Sequence, residues 1–136
     1  MANDIKIAVV VRDDLETWQK LNVTAFLASG LGTSAPEVIG LPYEDAAGQK
    51  YHPMFAVPVL VFGAGADALR QAFDRALARG LRLAVYTDDL FGTGNDIDNR
   101  AAVAAVATDD LSLAGFAVAG NRRVVDKALD KLRLHP

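Results

Sequence analysis

Two short acidic clusters are the first places in this 136-residue chain where residue types could do chemistry: Arg12-Asp13-Asp14 and Thr87-Asp88-Asp89. Each follows an apolar run, IKIAVVV and LRLAVY, that reads as a buried strand. In open α/β sheets ligands gather beyond the carboxyl ends of strands, so if the two strands are parallel neighbours the clusters converge. Convergent carboxylates can serve as general acid and base or hold magnesium, with Arg12 pairing Asp88 or Asp89 and leaving a third carboxylate free. The competing reading is an ion-pair and capping network at the edge of a sheet.

A second group lies on the helix expected to follow the first strand. Thr17, Lys20 and Thr24 share one helical face and could hold an anion, although an exposed lysine is more often simply solvated. Asn22 interrupts an otherwise apolar stripe, where a buried amide without partners would cost about 1–3 kcal/mol. It therefore either ties the helix to its surroundings, the favoured reading, or lines a pocket. The loop FGTGND has glycines but neither the Walker nor the dinucleotide spacing. No serine-centred nucleophile elbow is present, and His52 beside Pro53 fits no triad order.

The elements that must position these residues follow from periodicity. Strands are expected near 5–11, 58–62, 81–86 and 113–119. A helix is expected over 15–29, capped by Asp13 or Asp14, buried through Trp18, Leu21, Ala25 and Ala28, and stopped by Gly30 and Gly32. Further helices are expected over 66–79, 100–107 and 122–132, the last capped by Asn121. The segment EDAAGQK reads as a small hairpin. Strand 58–62, its helix and strand 81–86 form a right-handed βαβ unit, which predicts a parallel pair.

Composition narrows the classes of function. The length suits a single domain spanning 1–136, without repeat, linker or low-complexity tract. There is no cysteine and only two histidines, so disulfides, thiol chemistry and a structural zinc site are not expected. Fourteen basic against seventeen acidic residues give a net charge of −3, the wrong sign for a protein that neutralises many phosphates, and no nucleic-acid partner is expected. Neither a leader nor a membrane span is apparent, which predicts a cytoplasmic protein.

Taken as a set, DLETWQKLNVTAFLASG, the segment ending in YHPM, GTGNDIDNRAAVAAV and the closing LRLHP resemble a bacterial family of unknown function, domain-of-unknown-function family two thousand. The residues typical of it are Trp18, Asn22, His52, Thr93, Asn95, Asp96, Asn99 and Arg100. KIAVVVRDDL, PVLVFGAGADALRQAFDRALARGLRLAVYTDD and VVDKALDKLRLHP also resemble, more distantly, the type II peptidyl-tRNA hydrolases. That resemblance implies a three-layer α/β/α sandwich around a mixed, mostly parallel sheet of about four strands. Lys20 matches the lysine of those enzymes and Asp88 their aspartate. Thr24 and Leu27 stand where they carry glutamine and histidine, and Gly92 and Thr93 are displaced from their turn positions.

The expectations combine into an α/β protein that is a hydrolase acting on a small anionic substrate, a reaction type implied only by the resemblance. Asp88 or Asp14 would be the base, with Lys20 or Arg12 holding the anion. Asn22 or Thr93 would orient the substrate, and Trp18, His52, Asn95, Asp96 and Arg100 would complete the ligand site. No cofactor or metal is expected. The alternative is a non-catalytic domain that binds a small-molecule ligand or forms a homodimer. Unpaired polar groups in a pocket distinguish the former class, and a fully paired ion network the latter.

Overall fold

A computed structural model describes residues 4–136. The chain runs β1 (Ile5–Arg12), α1 (Thr17–Ser34), β2 (Tyr43–Glu44), β3 (Lys50–Tyr51), β4 (Val59–Ala64), α2 (Ala66–Ala78), β5 (Arg82–Thr87), α3 (Asp96–Ala104), β6 (Leu113–Asn121), α4 (Arg122–Ala128) and β7 (Arg133–Leu134). The main sheet has five strands in the order β5-β6-β1-β4-β7, and β2 and β3 make a separate hairpin.

The alternation of side chains along β1 accounts for the core. Ala8 and Val10 join Leu69, Phe73 and Val125 of α2 and α4, while Ile7, Val9 and Val11 join Val23, Leu27 and Leu31 of α1. Every one of these β1 residues is at most 1% exposed, so each face of the sheet is sealed by helix. That explains why β1 reads as a continuous apolar run instead of an alternating one.

The sheet is not mostly parallel. Only β1 and β4 pair in parallel, whereas β1–β6, β5–β6 and β4–β7 are antiparallel. The expected βαβ pair also fails, because β6 and β1 lie between β4 and β5. Chain direction survives this correction. Two antiparallel steps leave β5 running with β1 and β4, so the carboxyl ends of all three share one edge of the sheet. The fifth strand, β7, escaped the periodicity because two residues are too few to show one. It follows α4, which stops at Ala128 and not near 132. Arg75 Nε donates to the Ala128 carbonyl (2.9 Å), occupying a helix-end acceptor, and Lys131 turns the chain with φ 68°.

Helix α1 departs most from expectation. Asp13 and Asp14 do not cap it; Glu16 does, in a reciprocal capping box with Gln19. It continues through Gly30 and Gly32 to Ser34. At Gly30 a Cβ would sit 3.1 Å from the Ala84 Cβ, so that glycine lets the helix close on β5. The buried face is Val23, Leu27 and Leu31, while Trp18 and Leu21 are 61% and 67% exposed. Lys20 is its sole charged residue and its small polar residues are scattered among the apolar ones around the helix, so spacing alone does not mark the inward face. Helix α3 begins four residues before its expected start, at Asp96, where the Asn95 side chain accepts from the Asp98 amide. Asn121 caps α4, accepting from the amides of Arg123 and Val124.

Candidate functional site

Arg12, at the end of β1, reaches across the amino end of β6 to the residue that follows β5. Its Nη1 and Nη2 donate to Asp88 Oδ2 and Oδ1 at 2.8 and 2.9 Å. Nη1 also donates to the Leu113 carbonyl (2.8 Å), and Nε to Asp14 Oδ1 (2.6 Å). Ser112 adds a hydroxyl bond to Asp88 Oδ2, and the Asp88 amide donates to the Ser112 carbonyl (2.9 Å). Burial opposes ionisation of Asp88, but the bonds from Arg12 and Ser112 and the charge of Arg12 outweigh it and hold the carboxyl below its usual range. The Arg12 guanidinium is raised by its bond to Asp88 against desolvation. This is a bidentate, charge-assisted knot whose carboxylate is a weak base. Asp13 and Asp89 are exposed beside it. Among the described residues no group of three or more potential acidic, histidine or cysteine ligands is placed to hold a metal ion.

Lys20 does not join Asp88. It lies over the other side of the sheet, its Nζ 3.2 Å from His135 Nε2, and the His135 amide donates to Val61 (2.8 Å) at the β4–β7 edge. Thr24 donates to the Lys20 carbonyl within the helix (2.7 Å), so the anticipated anion cluster of Thr17, Lys20 and Thr24 is not assembled. His52 is exposed beyond β3 and does not line the cleft described next.

That cleft, about 340 Å³, opens between α1 and the segment leading from β5 into α3. From α1 it receives Trp18, Asn22 and Phe26, spaced four residues apart on one helical stripe. Facing them are Tyr86, Leu90, Phe91, Thr93, Gly94, Asn95, Asp96 and Asn99. The rings form a chain of contacts: Trp18 to Phe91 at 6.0 Å between centroids, Phe91 to Tyr86 at 5.1 Å, and Tyr86 to Phe26 at 5.8 Å. Asn22 Nδ2 donates to the Tyr86 hydroxyl (3.3 Å). Burial raises the Tyr86 pKa, and the Asn22 bond offsets only part of that, so the phenol stays protonated at neutral pH.

The loop side is organised by α3. Asn95 caps the helix and also donates to Asp98 (2.8 Å), and Asp96 pairs with Arg100 one turn on. Thr93 donates to the Leu90 carbonyl (3.0 Å), and its hydroxyl also meets the carboxamide of Asn99. Asn22 and Asn99 each keep one carboxamide atom without a protein partner among the described residues. Arg100 does not line this cleft but an adjoining apolar slot with Val85, Leu90, Val103 and Ala104.

The structure thus divides the anticipated residues. Trp18, Asn22, Thr93, Asn95, Asp96 and Asn99 meet in one cleft, Arg12, Asp14 and Asp88 form the knot, and Lys20 and His52 belong to neither. Phe26, Tyr86, Leu90 and Phe91 were missed, and the Trp18-Asn22-Phe26 spacing is the signal that would have exposed the first. A larger depression of about 650 Å³ lies between α2 and the end of α4. Its cations Arg75, Arg79, Lys127 and Lys131 sit at helix carboxyl ends among Asp126 and Asp130, where they complement the helix dipoles.

Fold and cleft together define an α/β protein whose described residues form a mixed five-stranded sheet and four α-helices, with a small-molecule-sized opening beyond the carboxyl end of β5. Over residues 5–136 the sequence matches the family described as protein of unknown function (DUF2000), and the chain belongs to that family. It is similar to a solved protein of unknown function from Agrobacterium tumefaciens strain C58, at 41% identity and a TM-score of 0.94 over 98% of each chain. No curated protein matches. No helix of the described residues is long and apolar enough to cross a membrane.

Proposed function

We propose that this protein is a non-catalytic domain that binds a small, uncharged ligand in the α1–α3 cleft. The observation that carries this reading is the fully paired network of Arg12, Asp14 and Asp88, which leaves none of the three free as an acid or base for catalysis, while the carboxamides of Asn22 and Asn99, each held at one atom and free at the other between aromatic walls, mark where a ligand binds. Clefts of this kind, mostly apolar with a few convergent polar groups, are the usual architecture of small-ligand sites. Hydrolysis of an anionic substrate is less well supported. Asp14 and Asp88 each accept from Arg12, Lys20 faces His135, and neither lysine nor arginine lines the cleft.

The three-layer sandwich of the type II peptidyl-tRNA hydrolases remains our reading of the architecture. It is supported by α1 packing on one face of the sheet and α2 and α4 on the other. Native mass spectrometry of the protein after incubation with a metabolite extract tests the function. Wild type should retain a small molecule that Asn22→Leu does not. Equal retention by both, or none by wild type, would remove the reading.

A further inference from the structure

We propose that the outward face of α1 is the interface of a homodimer, laid antiparallel against α1 of a second copy across a two-fold axis at Ala25. Helix α1 buries Val23, Leu27 and Leu31 on the sheet. On the opposite side stand Trp18, Leu21, Ala25, Ser29 and Gly32, and no charge interrupts them from the first turn to the last. Trp18, Leu21 and, at the border of the face, Phe26 are 61%, 67% and 52% exposed, and Ala25 and Ser29 are exposed as well. Helix α2 shows what a helix of this sheet ordinarily presents to water: Asp67, Gln71 and Asp74. A helix that is apolar on both sides belongs where both sides are covered. The hydroxyls at this face are already satisfied. Ser29 donates to the Phe26 carbonyl (2.6 Å) and Thr33 to the Gly30 carbonyl (3.0 Å), so covering them leaves neither unpaired.

Shape and charge select a second copy as the occupant. The bulky residues, Trp18 and Leu21, lie in the first half of the stripe and the small ones, Ser29 and Gly32, in the second. Antiparallel pairing about Ala25 sets Trp18 against Gly32 and Leu21 against Ser29 of the other copy, twice over, so each large side chain meets a small one. Ala25 then meets its own counterpart where the helices come closest. Lys20, the one charge of α1, is turned to His135, so two copies bring no like charges together. The area is adequate. Trp18 and Phe26 would cover roughly 200 Å² of ring per copy, and with the rest of the stripe on both copies the contact reaches about the 1,000 Å² at which specific interfaces begin. A bilayer surface fits less well, because helices that lie on membranes carry Lys and Arg on their polar face, whereas α1 follows Asp13, Asp14 and Glu16 in a chain of net charge −3. Neither Leu21 nor Ala25 lines the α1–α3 cleft, so the interface is independent of the ligand reading.

Sedimentation velocity of the full chain across the micromolar range tests the proposal. Wild type should shift from the mass of one chain to that of two as concentration rises. Ala25→Glu sets like charges against each other at the axis and should remain a single chain throughout, with an unchanged circular dichroism spectrum; Leu21→Lys should do the same through a different residue. Ala25→Glu mixed with Ala25→Lys should associate again, because opposite charges then meet at the axis. The dimer is overturned if wild type stays a single chain, if either Ala25→Glu or Leu21→Lys dimerises as wild type does, or if the Glu and Lys variants do not pair when mixed. Flotation of wild type, but not of Ala25→Glu, with vesicles of phosphatidylcholine and phosphatidylglycerol would overturn it in favour of a lipid surface.

Discussion

Arg12 and Asp88, 76 residues apart in the chain, meet in a bidentate ion pair at 2.8 and 2.9 Å, with the first residue of β6 supplying a third contact through its carbonyl. The pair ties the ends of β1 and β5 across β6, and this follows directly from strand direction: β1 and β5 finish at the same edge although they never touch.

The pair should appear in the acid limb of stability. The Asp88 pKa is lowered in the fold, so its contribution is complete above the unfolded value of about 3.9 and is lost as pH falls through the lower folded value. Asp88→Asn should cost roughly 1–3 kcal/mol at pH 7, leaving Arg12 without its main partner. Urea denaturation of both proteins from pH 7 down to pH 3 and below should show the gap narrowing once pH drops below about 4. A gap of the same size throughout would mean that ionisation of Asp88 contributes nothing.

Asn22 and Lys20 lie two positions apart yet should behave differently. Asn22→Leu removes the partner of the Tyr86 hydroxyl and should cost about 1–3 kcal/mol or less while abolishing ligand retention. Lys20→Ala should leave retention unchanged, because Lys20 contacts His135 and not the cleft. Retention lost with Lys20→Ala would place the binding site on the wrong side of α1.

Two glycines test the packing. A Cβ at Gly115 would stand 2.7 Å from the Val10 carbonyl oxygen, so Gly115→Ala must move backbone in the centre of the sheet and should destabilise by about 1–3 kcal/mol. At Gly32, inside α1, a Cβ meets nothing within 4 Å, and Gly32→Ala should stabilise by roughly 0.5–1 kcal/mol. Thermal melts of the two variants should shift in opposite directions; shifts of the same sign would contradict the positions of α1 and β6.

Peptidyl-tRNA should not be cleaved at a rate comparable with an authentic type II enzyme assayed side by side. Thr24 is bonded to its own helix, Leu27 is buried in the core, and the net charge is −3. Comparable turnover would show that these departures matter less than the shared Lys20 and Asp88.

Local signals in the chain were sufficient for several features. Runs such as IKIAVVV mark buried strands because both faces of the sheet are covered, and Asn121 marks a helix start because its side chain satisfies free amides. The meeting of Arg12 with Asp88 or Asp89 was expected from β1 and β5 being parallel neighbours; they are not neighbours, and the pairing with Asp88 holds because two antiparallel steps through β6 bring both carboxyl ends to one edge.

Tertiary structure decided the rest. Strand order is a matter of which edges pair, and a pattern within one strand carries no information about its neighbours, so the antiparallel β6 between β1 and β5 was invisible. The inward face of α1 depended on contact with the sheet, because a helix with one charge has no polar side to exclude. For the same reason Asn22, Trp18 and Phe26 could be seen as neighbours on a helix, but that Tyr86, Phe91 and Asn99 stand opposite them was decided only when α1 packed against β5 and the chain folded back through α3.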